Sequence, residues 1–338
     1  MGCYSPLKGW RDRGSGGITF RRENGYGEKM EVGCGHCLGC RLAYSHMWAM
    51  RIVHEASLHE FDGGNCFITL TYRDKTECET YDQLKNGQYV PDDWSLHKSH
   101  FQKFMKRLRK AFPDNKIRYF AVGEYGRKCE HGIDLTKYDC PLCNTGRPHF
   151  HACIFNLSFS DLEAYQSDNA VTRYTSPTLE KIWGYGFVDV GELTYNSAAY
   201  CAKYILKKVR AVVCDHHYMK FDEYGVVTFI TPEFTMMSRG NASSKGKRCG
   251  IGAGWFDRYR DDVFPSDETP VPGFGVMKGV PRYYYEMLKE DDPEMYEQIK
   301  KKRLQWMFEN KEEFTHRRLE AKAKCKKAKL ELFDNKIL

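Results

Sequence analysis

The chain has 338 residues, long enough for a substantial core and for two domains. Its 52 Lys and Arg against 45 Asp and Glu leave a formal charge of +7, which favours a nucleic-acid partner without establishing one. No apolar run nears the roughly 18 residues of a spanning helix, and MGCYSPLKGWRDRG lacks a signal-peptide core, so no membrane partner is expected; the likeness of Gly2 to a myristoylation site reads as chance.

Residues 1–33, rich in Gly, Arg and charge, read as an irregular arm. After CGHCLGC, the spacing of Leu42, Met47, Met50, Val53 and Leu58 predicts a helix over 41–58. CFITLTYRD (66–74) alternates apolar residues with Thr and reads as a strand, followed by polar loop over 75–95. LHKSHFQKFMKRLRKAF (96–112) gathers Phe101, Phe104, Met105, Leu108 and Phe112 on one face. Pro113 stops this helix, and Lys103, Lys106, Arg107 and Lys110 form a basic face that suits DNA phosphates, though solvated charge explains it equally. IRYFAVGEYG (117–126) and PHFHACIF (148–155) read as strands separated by a Cys-containing insertion. A short helix over 179–183, a strand over 187–193 and a helix over 196–210 follow, the last capped by Asn196 or Ser197. The stretch 211–278 holds short strand-like pieces and the flexible run SRGNASSKGKRCGIGAG; from Pro281 the chain is charged and helix-prone. The order of elements predicts an α+β fold, one central antiparallel sheet with flanking helices, and no solenoid repeat.

The chemistry concentrates in four places. On a strand, residues two apart share a face, so His149 and His151 can direct two nitrogens at one point, as a metal requires; a solvated sheet face is the bland explanation. Glu124, on the preceding strand, completes a two-His-one-carboxylate set if the register allows. In YCAKYILK, Tyr200, Lys203, Tyr204 and Lys207 share one helical face, which also fits tyrosines half-buried on a sheet. Beside a divalent ion that polarises a phosphodiester, a phenol oxygen can attack phosphorus, with lysines neutralising the phosphate or the phenolate. The 14 cysteines, several in CxxC spacing and with no mark of secretion, read as reduced thiols with some metal binding. Cys129, His131, Cys140 and Cys143 are expected to order the insertion around zinc. Cys34, Cys37 and Cys40 offer three thiolates to a second zinc, with His36, His46 or a distant Cys as fourth ligand.

These motifs carry a resemblance. PHFHACIF is similar to the His-hydrophobic-His motif of HUH endonucleases, CFITLTY to their first strand motif, and YCAKYILK to the YxxKYxxK motif of rolling-circle initiators. With CGHCLGCR and VGEYG, the chain resembles the replication initiators of Microviridae of the gokushovirus type, most firmly over 34–208 and less around CGIGAGWF (249–256). The resemblance implies a site-specific single-strand DNA endonuclease and ligase that starts rolling-circle replication. His149 and His151, with Glu124 as third ligand, would hold Mg²⁺ or Mn²⁺; Tyr200 and Tyr204 would form 5′-phosphotyrosine links, Lys203 and Lys207 assisting. One tyrosine would nick the origin of the double-stranded replicative form, and the other would attack the regenerated junction to release a single-stranded circle. The sequence holds no GxxxxGK[ST], so a host helicase and polymerase are expected partners, in the cytoplasm of a bacterial host.

The expected organisation is an arm with a Cys cluster and helix (1–60), a nicking domain (61–210) with its insertion (127–146), an irregular basic region (211–278) and a charged helical tail (279–338). A transposase or relaxase shares the chemistry, but the segment order and CGHCLGCR weigh against it. A zinc-stabilised nucleic-acid-binding protein without catalysis is the alternative of a different class.

Overall fold

The computed structural model describes residues 2–15, 17–168, 171–204, 217–222, 224–239 and 249–334. The chain clusters into two units, one of Met1–Met47, Asp261–Thr269 and Met277–Leu338, the other of Trp48–Arg260 and Pro270–Val276.

The first unit opens with strands β1 (Leu7–Asp12), β2 (Ile18–Thr19) and β3 (Gly25–Val32), which form an antiparallel sheet in the order β2-β1-β3. The expected irregular arm is therefore a small sheet. Its strands are mostly exposed, so the apolar alternation that marks a half-buried strand is missing. Helix α1 (Leu38–Ser57) follows, and its second half belongs to the other unit.

The second unit is built on seven strands. Here lie β4 (Asn65–Thr71), the short α2 (Tyr81–Lys85), α3 (Lys98–Ala111), β5 (Arg118–Tyr125), β6 (Pro148–Phe155), β7 (Glu163–Asp168), β8 (Val171–Thr175), α4 (Pro177–Trp183), β9 (Val188–Gly191) and α5 (Tyr195–Tyr204). The hairpin β10 (Met219–Phe221) and β11 (Val227–Phe229) precedes β12 (Phe234–Met237). The sheet order is β12-β5-β6-β4-β9-β8-β7, with antiparallel pairing. The expected antiparallel sheet is present, enlarged by a β7–β8 hairpin whose polar sequence hides its pairing. Within 211–278, expected to be an irregular region with short strand-like pieces, the described residues form β10 to β12, helix α6 (Ala253–Val263) and a paired β13 (Glu268–Val271) and β14 (Gly275–Lys278).

Strand β6 lies between β5 and β4 and is covered on both faces, which is why it reads as a near-continuous apolar run. Phe150, Ala152 and Ile154 point into the main core with Ile68, Leu70, Val188 and Val190 of neighbouring strands. That face is closed by Phe101, Phe104, Met105 and Leu108 of α3, spaced at i, i+3, i+4 and i+7, and by Leu179 and Trp183 of α4. Ser176 caps α4, its hydroxyl accepting from the Leu179 N–H at 3.1 Å, and Gly184 ends it in the left-handed region at φ 69°.

The residues between, His149, His151 and Cys153, take the opposite face. Trp48 of α1 meets Phe120 there at a ring separation of 5.0 Å. Arg118 forms an ion pair with Glu55, which is 1% exposed, while its other nitrogen donates to the Cys249 carbonyl at 2.8 Å. Glu55 also accepts from the Gly252 N–H at 2.8 Å, and His54 stacks on Trp255 at 3.5 Å. The CGIGAGWF motif thus ties the segment entering α6 to the sheet.

The remaining helices, α7 (Arg282–Asp291), α8 (Pro293–Glu309) and α9 (His316–Asp334), belong to the first unit and make the tail helical, as its composition predicts. No helix among the described residues is long and apolar enough to cross a membrane.

Candidate metal and tyrosine site

The register of three strands assembles the site. Glu124 of β5 pairs directly with His149 of β6, while Thr69 of β4 pairs with His151. Directly opposed residues point to the same side of a sheet, so all four side chains share one face. His149 Nε2 lies 3.1 Å from His151 Nε2, and Glu124 Oε2 lies 3.4 Å from each. These side chains are 16%, 8% and 4% exposed for His149, His151 and Glu124, so the cluster is shielded yet open on the His149 side.

The three donor atoms fit one cation. With metal–ligand bonds of about 2.1 Å, donor separations of this size subtend angles of about 95–110°, between an octahedral face and a tetrahedron. The outer contacts orient the rings for that purpose. His149 Nδ1 faces the Arg147 carbonyl at 3.2 Å, and a carbonyl can only accept, so the proton sits on Nδ1 and the Nε2 lone pair faces the cluster. His151 Nδ1 has the Thr69 hydroxyl at 2.9 Å, which aims its Nε2 the same way. Two imidazole lone pairs and a carboxylate then converge, a set that suits a divalent ion. Sequence reasoning missed Thr69, although the alternation in CFITLTY places it on the same face as Phe67 and Thr71.

Helix α5 lies over this face. Ala198, Cys201 and Ala202 are fully buried, and such small residues let a helix sit close to strands. The Tyr200 ring therefore reaches within 5.1 Å of the His151 ring, edge-on, and 6.2 Å of Phe67, which itself stacks 5.7 Å from His151. Tyr200 remains 42% exposed. Thr194 caps the helix: its hydroxyl accepts from the Ser197 N–H at 3.3 Å, and Ser197 Oγ accepts from the Thr194 N–H at 2.8 Å. The cap is thus Thr194 rather than the expected Asn196 or Ser197, because the helix already starts at Tyr195. Lys203 is exposed on the same helix. Tyr204 ends α5, one turn beyond Tyr200; its side chain and Lys207 lie outside the described residues.

The insertion leaves β5 and returns to β6 beside these ligands. Its two legs are joined by Gly126 N–H donating to the Arg147 carbonyl and Arg147 N–H donating to the Lys128 carbonyl, both at 2.8 Å. They approach so closely that a Cβ at Gly146 would stand 2.0 Å from the Gly126 carbonyl oxygen, so no other residue fits there. Within the loop, His131 Nδ1 lies 3.9, 3.4 and 3.5 Å from the sulfurs of Cys129, Cys140 and Cys143. Zinc bonds of about 2.3 Å to sulfur and 2.0 Å to nitrogen give a tetrahedral edge of about 3.5 Å, so the four groups match one zinc ion. The buried cysteines, with Ile133, Leu135 and Leu142 packed around them, replace an apolar core too small to stand alone.

The other sequence expectations are distributed differently. The α3 residues Lys103, Lys106 and Lys110 are exposed, but α3 covers the sheet face opposite His149 and His151. Arg107 belongs to the fold rather than to a free basic face: its guanidinium donates to the Ile182 and Trp183 carbonyls at 2.7 and 2.6 Å, closing the end of α4. Cys34, Cys37 and Cys40 gather with Cys3, the distant cysteine that spacing alone could not name.

Comparison with known proteins gives a consistent pattern. The model of the family "Replication-associated protein ORF2/G2P" matches residues 65–133 and 138–209, which contain Glu124, His149, His151, Tyr200 and Tyr204 and all of the insertion except 134–137. The chain is 32% identical over 280 residues to Replication-associated protein ORF2 of Spiroplasma virus 4, covering 80% of this chain and 72% of that protein. It is 26% identical over 306 residues to Replication-associated protein VP4 of Bdellovibrio phage phiMH2K, covering 88% and 80%. With Replication-associated protein ORF4 of Chlamydia phage 1 the identity is 28% over 286 residues, covering 80% and 58%. No solved structure matches the chain.

Proposed function

Because the chain belongs to the replication-associated protein ORF2/G2P family of the microviruses, we propose that it initiates rolling-circle DNA replication by nicking and rejoining one strand, as an HUH-type endonuclease. The observation that carries this reading is the Tyr200 ring, itself 42% exposed, 5.1 Å from the His151 ring of the Glu124–His149–His151 cluster.

The residues divide the work as follows. Glu124, His149 and His151 hold Mg²⁺ or Mn²⁺, which supplies Lewis-acid polarisation of the scissile phosphate when bound. Tyr200, a phenol whose ordinary pKa near 10 makes it a weak nucleophile at neutral pH, is directed at the phosphorus by α5 and by Phe67. Its oxygen bonds to phosphorus as the bond from phosphorus to the 3′ oxygen breaks. The phenol proton passes to solvent, and the departing 3′ oxygen takes one up. One phosphate ester replaces another, so a 3′-hydroxyl can run the step backwards and reseal the strand. Lys203, three residues from Tyr200, brings positive charge to the phosphate. Tyr204, one helical turn on, serves as the second nucleophile that closes the circle after synthesis. Host helicase and polymerase complete the work in the cytoplasm of the bacterial host.

The test is to tile the phage genome as single-stranded oligonucleotides and incubate each with protein and Mn²⁺. One of them should form an SDS-resistant adduct, with mass spectrometry placing the nucleotide on Tyr200 or Tyr204. The Tyr200→Phe/Tyr204→Phe double variant should form none. Cleavage by that variant overturns the nucleophile assignment, and binding without cleavage under every metal tried leaves a zinc-stabilised DNA-binding protein instead.

A further inference from the structure

We propose that Cys3, Cys34, Cys37 and Cys40 form a tetrathiolate zinc site that fastens the N-terminal sheet to the first turn of α1. This inference is independent of the nicking reading, since all four residues lie in the other unit. Strand pairing begins the assembly: Leu7 opposes Val32 in the β1–β3 ladder, so Cys3, just before β1, and Cys34, just after β3, emerge at the same end. The chain then turns into α1, which begins at Leu38 and delivers Cys37 and Cys40 to that end.

The sulfur positions are those of a single-ion site. Cys3 Sγ lies 3.5 Å from Cys34 Sγ and 3.7 Å from Cys37 Sγ, and all four sulfurs fall within 4.8 Å of one another. A tetrahedron with zinc–sulfur bonds of about 2.3 Å has edges of about 3.8 Å. A multi-iron cluster would attach its thiolates to different metal atoms and spread them farther apart.

The backbone is arranged for thiolates. Tyr4 N–H donates to Cys37 Sγ at 3.2 Å, Cys34 N–H to Cys3 Sγ at 3.3 Å, Cys37 N–H to Cys34 Sγ at 3.2 Å and Cys40 N–H to Cys37 Sγ at 3.5 Å. Four thiolates on one divalent ion carry a net charge of −2, and these donors spread it. The N-terminal segment also passes directly over the helix: a Cβ at Gly39 would stand 2.5 Å from the Gly2 carbonyl oxygen. That close approach sets Cys3 beside Cys37, their sulfurs 3.7 Å apart.

The experiment measures tightly held metal in the full-length protein after passage over a chelating resin. Wild type should carry two zinc ions per chain, His131→Ala one, Cys34→Ser/Cys37→Ser one, and the combination none. With Co²⁺ in place of zinc, the thiolate charge-transfer intensity assigned to this site should fall by about one quarter in Cys3→Ser, one ligand in four. Should the cysteine variant fail to fold, thiol modification of wild type must release two zinc ions in separate steps. The proposal is overturned by a single zinc that only His131→Ala removes, by iron in the purified protein, by a disulfide among these cysteines, or by an unchanged Co²⁺ spectrum in Cys3→Ser. Loss of nicking with both zinc ions retained would fault the tyrosine site and leave this one standing.

Discussion

Replacing Thr69 with valine exchanges one hydroxyl for a methyl and keeps the branched shape that strands favour. What it removes is the 2.9 Å contact to His151 Nδ1, the contact that aims Nε2 at the cluster. Loss of such an outer contact lowers metal affinity by about 10–100-fold, equivalent to about 1.4–2.7 kcal/mol. Nicking rate measured against Mn²⁺ concentration should therefore show a midpoint raised by that factor, while the rate at saturating metal returns to within a few-fold of wild type. Thr69→Ser, which keeps the hydroxyl, should follow the wild-type curve. A midpoint for Thr69→Val within about threefold of wild type would show that His151 does not depend on this contact, and the ligand geometry argued from it would be wrong.

Three further outcomes follow from the packing and the electrostatics. Arg118→Leu strands the Glu55 carboxylate, 1% exposed, without its guanidinium; the loss should be about 3 kcal/mol by denaturant unfolding, with Arg118→Leu/Glu55→Leu recovering part of it. Burial holds His54 down to a pKa of about 4, against an ordinary value of 6.5, although the Pro270 carbonyl at 2.9 Å opposes the shift. The unfolded chain thus takes up this proton first, and up to about 3 kcal/mol of stability should disappear as pH falls from 6.5 towards 4; an undiminished slope in His54→Gln would refute that. In His131→Ala, hydrogen exchange should become fast across 129–143 while the amides of β5 and β6 stay protected; melting of the whole sheet would show that the insertion is not a separate folding unit.

The sequence made some of this legible and not the rest, for physical reasons. PHFHACIF marks β6 to the residue, because two-faced burial and residues two apart both leave local traces. Helix α3 is legible from the spacing of Phe101, Phe104, Met105 and Leu108. The pairing of Glu124 with His149 is a matter of register between strands, and the insertion between them hides it from any short window. Cys3 is 31 residues from Cys34 and meets it only through the β1–β3 ladder, in a stretch whose exposed strands read as an arm. The β7–β8 hairpin is missed because polar residues fill it. By its place on the helix Arg107 falls on the charged face, whereas its partners are carbonyls 75 and 76 residues away. Local patterns revealed single elements; what long-range pairing brought together stayed out of reach.

The two legs of the insertion meet at Gly126, Lys128, Gly146 and Arg147, and that clasp separates what lies beyond it from what lies before it. Past the clasp, Cys129, His131, Cys140 and Cys143 gather the donors that could order the loop, and the strand ladder behind it is already closed. The loop is held at a second point as well, where the Phe221 N–H of β10 donates to the Leu142 carbonyl at 2.8 Å and Lys220 pairs with Glu130, so a change within it is felt at β10 before it reaches the ligand triangle.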